Sequence, residues 1–123
     1  MQQNVEITGN LYVEGSEITG LMNTNTSDKR LKKDFEKISD ALEKIKTLSG
    51  YTFSRIEDKY VGRRYTGLIA QEVQDVLPEA IAEYEHDGAS YLSLAYGNMM
   101  GLVVEAIKEL STQVSALGAK INT

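Results

Sequence analysis

A heptad repeat near the C-terminal end constrains the fold of this chain more than any other feature. Its apolar residues recur at alternating spacings of four and three: Tyr96, Met100, Val103, Ile107, Leu110, Val114, Leu117 and Ile121. This spacing places them on one side of a helix and is typical of helices that associate through that side. Residues 96–121 are therefore predicted to form a long helix that either joins other copies or packs on its own domain.

The residues around the heptad positions indicate how the helix would associate. Gly97, Gly101 and Gly118 each weaken an isolated helix by roughly 1 kcal/mol, so the helix needs partners to persist. Flanking positions such as Ser111 and Gln113 are small or polar and carry no charged pairing code. This pattern is compatible with a broad interface such as that of a trimer.

The N-terminal segment has a different pattern. Residues 4–22 alternate between apolar and polar side chains, as strands do, and the triplet Ile-Thr-Gly begins at Ile7 and again at Ile18. Two short strands cannot bury a face alone, so we interpret residues 1–26 as the end of a repetitive β stalk, or as an N-terminal hairpin. The polar residues 23–27 form a turn-prone linker that marks a domain boundary.

Two short helices are predicted between the linker and the heptads. The first covers residues 40–48, where Asp40 and Glu43 have the spacing of a capping box. The second covers residues 69–77 and is ended by Pro78.

Two β-hairpins are predicted in the same region. Residues 51–56 and 64–68 form the first, and residues 81–84 and 91–94 form the second. The expected fold class is therefore α+β: a short β stalk segment, a small mixed domain of hairpins and short helices, and a long C-terminal helix in a trimeric bundle.

The composition of the chain excludes several classes of function. The chain has 123 residues and a formal net charge of -5, so no general attraction to nucleic acid or to an acidic membrane is expected. It has no cysteine and one histidine, and we expect no metal site and no cofactor. Basic residues crowd positions 29–46, whereas residues 72–87 carry acidic ones. These two stretches are either separate solvated faces or surfaces that meet.

A serine and a lysine lie at the seam between the stalk and the mixed domain. Ser27 becomes a nucleophile only if a base takes its proton, and Lys32, five residues on, could be that base. A lysine acts in this way only when its pKa falls from ~10.4 toward neutrality, which burial and neighbouring positive charges favour. From spacing alone, however, Ser27 or Asp28 would simply cap a basic turn.

Six stretches of the chain resemble, in order, a family of C-terminal intramolecular chaperone auto-processing domains. Such domains end phage tail spikes, tail fibres, neck appendages and endosialidases. Each stretch alone is weak evidence for the resemblance, but the ordered set is specific to the family and extends from residue 27 to about residue 110. The stretches are residues 27–35, 40–45, 67–73, 77–79, 91–93 and 105–110.

The resemblance implies a function and a domain organisation. Residues 27–123 would be the chaperone, which forms a homotrimer, registers the strands of the fibre segment in residues 1–26 and then releases itself. The protein would be a fibre precursor made in the host cytoplasm and destined for the virion tail. No nucleic acid or membrane partner is implied.

The resemblance also assigns roles to residues. Ser27 matches the family nucleophile and Lys32 its dyad lysine, which would make the chain a single-turnover serine endopeptidase that cuts itself between Thr26 and Ser27. Asp28 would either orient Lys32 or cap the turn. Gln71 and Glu72 lie in a shared motif, where a helix start packed in the core is as plausible as a supporting catalytic role.

Two other functions remain open on sequence grounds. The chain could be a structural trimerisation module with the same fold and no cutting. It could also bind a receptor or a glycan through exposed tyrosines, although the resemblance lies in the processed domain.

Overall fold

The computed structural model describes residues 27–56, 59 and 61–122. The predicted β stalk with its Ile-Thr-Gly repeats, and Thr26 at the predicted cleavage site, lie outside the described residues. The chain divides into two units, Met1–Phe35 and Glu36–Thr123, and each is treated by itself.

The second unit is built on three helices: α1 (Ala41–Lys46), α2 (Ala70–Val76) and α3 (Met100–Ile121). Side chains from all three meet in one small apolar core, which forms because each helix has an apolar stripe to remove from water. Short 3-10 turns precede β3 and α3, and each adds one residue to the core. The fully or largely buried members are Ala41, Val73, Leu77, Ala80, Met99, Leu102 and Ala106.

Both predicted hairpins are confirmed. Strands β1 (Tyr51–Phe53) and β2 (Tyr65–Gly67) pair antiparallel, with Thr52 opposite Thr66. Strands β3 (Ile81–His86) and β4 (Ala89–Leu94) form a separate antiparallel sheet. With the helices, they make the α+β class that the sequence predicts. The association of three chains stays a prediction.

The predicted capping box at the start of α1 is wrong. Asp40 adopts a left-handed conformation, with φ of 53°, and its side chain makes no capping hydrogen bond. Instead, the carboxylate of Glu109 on α3 accepts hydrogen bonds from the backbone amides of Ala41 at 2.8 Å and Leu42 at 3.1 Å. The orphan amides at the helix start are thus satisfied by a residue that is distant in sequence.

Helix α3 has two apolar sides. Its inner side, defined by Leu102, Ala106 and Glu109, packs against α1 and the core. Its outer side carries the heptad residues, one position and therefore about 100° further around the helix. Most of the outer side is exposed; Ile107, for example, is 60% accessible. The 3-10 turn Tyr96–Met99 leads into α3, so the α-helix proper begins at Met100.

No helix in the described part of the chain is both long and apolar enough to cross a membrane.

Candidate functional site

A single 3-10 turn organises the segment around Ser27. The turn covers Lys29–Leu31, and Asp28 before it and Lys32 after it are extended. Two backbone hydrogen bonds close it, from Leu31 N to Asp28 O and from Lys32 N to Lys29 O, both at 3.1 Å. Because the 3-10 turn shortens the path between its two ends, the side chains that flank it can meet.

The turn brings together the serine and the lysine of the predicted dyad. The ammonium Nζ of Lys32 donates a hydrogen bond to Oγ of Ser27 at 2.7 Å, which is a short, charge-assisted distance. Both side chains are exposed to solvent. In this state the lysine donates, so it would have to lose a proton before it could act as a base toward the serine.

Asp28 caps the turn rather than binding Lys32. Its Oδ1 accepts hydrogen bonds from the backbone amide of Arg30 at 2.9 Å and from Nε of Arg30 at 3.1 Å. Its Oδ2 accepts from Nη2 of the same arginine at 2.9 Å. The hydrogen bonds from the Arg30 side chain, and then from its backbone, hold the pKa of Asp28 below its usual range. Of the two roles predicted for Asp28, this geometry is that of the cap.

Comparison with known proteins places this turn at the start of a family match. Residues 27–82 match the family described as chaperone of endosialidase, which is also named among the peptidases. This segment belongs to the endosialidase-chaperone family. The match begins at Ser27 and includes the turn, α1, α2 and the first hairpin.

Relatives of this endosialidase-chaperone segment are found among tail fibre proteins. The chain is 39% identical over 100 residues to the long tail fiber protein Gp37 of Enterobacteria phage K3, which covers 77% of this chain and 8% of that protein. It is 35% identical over 101 residues to Gp37 of Enterobacteria phage M1, covering 79% of this chain and 40% of that protein. The chain therefore spans less than half the length of these relatives.

The motif Gly67-Leu68-Ile69-Ala70-Gln71-Glu72-Val73 joins β2 to α2. The phenol oxygen of Tyr96 accepts a hydrogen bond from the amide of Leu68 at 2.9 Å. A Cβ on residue 67 would clash with that oxygen, so a larger residue there would displace the Tyr96 side chain. Val73 is fully buried. Much of the motif is thus explained by packing within the second unit.

Gln71 and Glu72 lie in the first turn of α2. Gln71 is exposed, and Glu72 is half-buried and accepts a long hydrogen bond of 3.4 Å from the hydroxyl of Tyr51. The two side chains belong to the second unit, whereas Ser27, Asp28 and Lys32 belong to the first. Their supporting role stays a prediction.

Sequence reasoning does not identify the roles of two residues at these sites, Arg30 and Tyr96. In the sequence, Arg30 is only one of several neighbouring basic residues, yet in the structure it binds both oxygens of Asp28. Its spacing of two from Asp28 is the available signal. The heptad pattern accounts for Tyr96, although its hydroxyl also binds the backbone of the Gly67 motif. Within residues 27–56, 59 and 61–122, no three histidine or acidic side chains lie close enough to hold a metal ion.

Proposed function

We propose that this chain trimerises and registers the end of a phage tail fibre, and then cuts itself between Thr26 and Ser27. The observation that carries the proposal is the 2.7 Å contact between Ser27 Oγ and Lys32 Nζ at the first residue of the family match. The relatives that are tail fibre proteins support a fibre as the substrate. On this proposal the protein is a component of the virion, made as a precursor in the host cytoplasm.

The proposed reaction begins with a neutral Lys32 amine, which takes the proton of the Ser27 hydroxyl. Oγ of Ser27 forms a bond to the carbonyl carbon of Thr26, and the bond from that carbon to the Ser27 nitrogen then breaks. The Lys32 ammonium returns its proton to the departing amine. Water hydrolyses the resulting ester, which yields a carboxylate on Thr26 and restores the Ser27 hydroxyl.

The exposure of the pair supplies a reason for cutting to depend on assembly. A lysine in water stays charged and serves poorly as a base, whereas burial disfavours its charged form. We infer that association of three chains removes water from the turn at residues 27–32. A larger fraction of the Lys32 side chain is then in the neutral amine form, so the cut follows assembly.

The outer side of α3 is the proposed surface for that association. Its exposed apolar residues continue along the whole helix, and no residue from Ser111 to Ile121 is buried. An apolar groove of about 470 Å³ adjoins the first heptad residues Tyr96, Met100 and Val103. Exposed apolar surface of this extent marks an interaction site.

Registration explains why a fibre would carry such a domain. Pairing strands from three chains is opposed by loop-closure entropy and by mispairing. A helical trimer forms from local contacts and raises the effective concentration of the strands in residues 1–26. After the cut the fibre keeps its structure kinetically, because the domain that registered it has left.

Timed mass spectrometry of the refolded chain tests the cut. A fragment that begins at Ser27 is expected, and it should form faster as protein concentration rises through the range of trimer assembly. Ser27→Ala and Lys32→Ala should leave the chain whole while light scattering still shows trimers. Lys33→Ala is the matched control and should be cut like the wild type. Cutting of both dyad variants at the wild-type rate would contradict the assignment.

A trimerisation module without cutting is the second candidate. Two observations favour it. The Ser27–Lys32 pair is exposed to solvent, and the lysine donates the hydrogen bond to the serine rather than accepting it. A wild-type trimer whose Thr26–Ser27 bond survives prolonged incubation would establish this second function and exclude the first.

A further inference from the structure

Within the turn at residues 27–32, Asp28 is the one carboxylate that could compete with Ser27 for Lys32. Asp28 is adjacent to Ser27, and a carboxylate close to an ammonium stabilises its charged form. In the structure, however, Arg30 occupies both oxygens of Asp28 through Nε and Nη2. The described contact of Lys32 is with the Ser27 hydroxyl.

The geometry of the arginine suits this role better than that of a lysine. A guanidinium binds a carboxylate with two parallel N–H donors, which fixes the direction of the carboxylate as well as its charge. The backbone amide of Arg30 adds a third hydrogen bond to Asp28. Three hydrogen bonds from one residue therefore hold the Asp28 carboxylate to Arg30.

We propose that Arg30 is a positioning residue for the Ser27–Lys32 pair, because it holds the Asp28 carboxylate and so leaves the lysine to the serine. This inference rests on the proposed self-cleavage. Arg30 contacts neither reacting group, and it acts through Asp28. The lowered pKa of Asp28 agrees with this role, because the hydrogen bonds from Arg30 stabilise the charged carboxylate.

The proposal has a consequence for the pH dependence of cutting. Without the Arg30 side chain, Oδ2 of Asp28 loses its partner and is free to pair with the ammonium of Lys32, which favours the charged form of that amine. A smaller fraction of the lysine is then neutral at any given pH. The rising limb of the cleavage rate therefore moves to higher pH. The charged groups of the described segment 27–35 are Asp28, Lys29, Arg30, Lys32, Lys33 and Asp34.

The cleavage rate of the full chain, measured against pH by mass spectrometry, tests the inference. Arg30→Gln should move the midpoint of the rising limb up by about half to one pH unit, which is the lower end of the shift that a neighbouring opposite charge produces. At a pH below the midpoint, this shift lowers the rate about three- to tenfold. The double variant Asp28→Asn with Arg30→Gln should return the midpoint to its wild-type position.

One control variant and the shape of the pH profile separate this role from a merely structural one. Lys33→Gln removes a neighbouring positive charge without touching Asp28, and its midpoint should move less than that of Arg30→Gln. A variant that only loosens the turn would lower the rate at every pH and leave the midpoint in place.

The outcomes distinguish this inference from the function on which it rests. If the wild type is cut before Ser27 but Arg30→Gln keeps the wild-type midpoint, Arg30 does not position the pair and the proposed function stands. Arg30 is likewise excluded as a positioning residue if the double variant keeps the shifted midpoint. A wild-type trimer that is never cut overturns both proposals.

Discussion

The two sides of α3 differ in what a single chain provides for them. On the inner side, Leu102 is fully buried and Glu109 binds the start of α1. On the outer side, Ile107 and Leu110 are 60% and 48% exposed. One chain therefore completes the packing of the inner side, whereas the heptad side is left without a cover in the described residues. The domain core and the proposed assembly surface use the same helix but different residues.

The turn at residues 27–32 resembles the outer side in its exposure. Its side-chain contacts join residues two and five positions apart, and they lie in solvent. The inner side, by contrast, joins residues 67 and 68 positions apart. The parts on which the proposed function depends are thus the exposed ones, and the following experiments test that division.

The largest effect is expected at the buried position of the inner side. Leu102→Ala should lower the free energy of unfolding by about 2–5 kcal/mol, because it removes buried methyl groups and leaves a cavity. Urea denaturation followed by circular dichroism measures the change. Leu31→Ala makes the same substitution at a side chain that is 74% exposed and should cost no more than about 0.5 kcal/mol. Equal costs would contradict the assignment of the inner side.

A smaller effect is expected from the cap that α3 provides to α1. Glu109→Ala leaves two backbone amides without their acceptor and should destabilise the fold by about 1–3 kcal/mol. Glu109→Gln keeps one amide oxygen as an acceptor, so its cost should be about half as large. The same denaturation experiment compares the two variants. If both are as stable as the wild type, water serves the start of α1 as well as Glu109 does.

The smallest effect on the folded domain is expected on the outer side. Ile107→Asn should change the fold of a single chain by less than about 1 kcal/mol, since the side chain is already exposed. It should nevertheless abolish the trimer at micromolar concentration, as sedimentation would show. Thr112→Asn, at a position off the heptad repeat, is the control and should still form trimers. Trimers of Ile107→Asn at the wild-type concentration would remove the outer side from the interface.

Periodicity predicts the elements of the fold well, because the signals are local. Alternation of side chains identifies both hairpins, and Pro78 marks the end of α2, which stops at Val76. The heptads identify the long helix, but they do not predict that Leu102 and Ala106, which lie off the heptad positions, are buried. Those two residues form the inner side, and only the position of α1 reveals that they are buried.

The cap of α1 could not be predicted, because its signal is not local. Asp40 and Glu43 have the right spacing, but the backbone of Asp40 is left-handed and its side chain makes no capping hydrogen bond. The acceptor is Glu109, on a helix that begins far along the chain. The contact between Ser27 and Lys32 is also hard to predict, although the two residues are close in sequence. A spacing of five does not fit a helix, and the 3-10 turn that joins them leaves only a weak signal.

The short range of the Ser27–Lys32 contact has a consequence for the timing of synthesis. The pair needs only the residues between its two members, so it can form once that segment leaves the ribosome. Met100, the first residue of α3, follows Lys32 by roughly 3–14 s at a translation rate of ~5–20 residues per second. The nascent chain can therefore hold the Ser27–Lys32 pair before it holds α3. On the proposed function, cutting waits for assembly through α3, so the bond before Ser27 has to survive that interval.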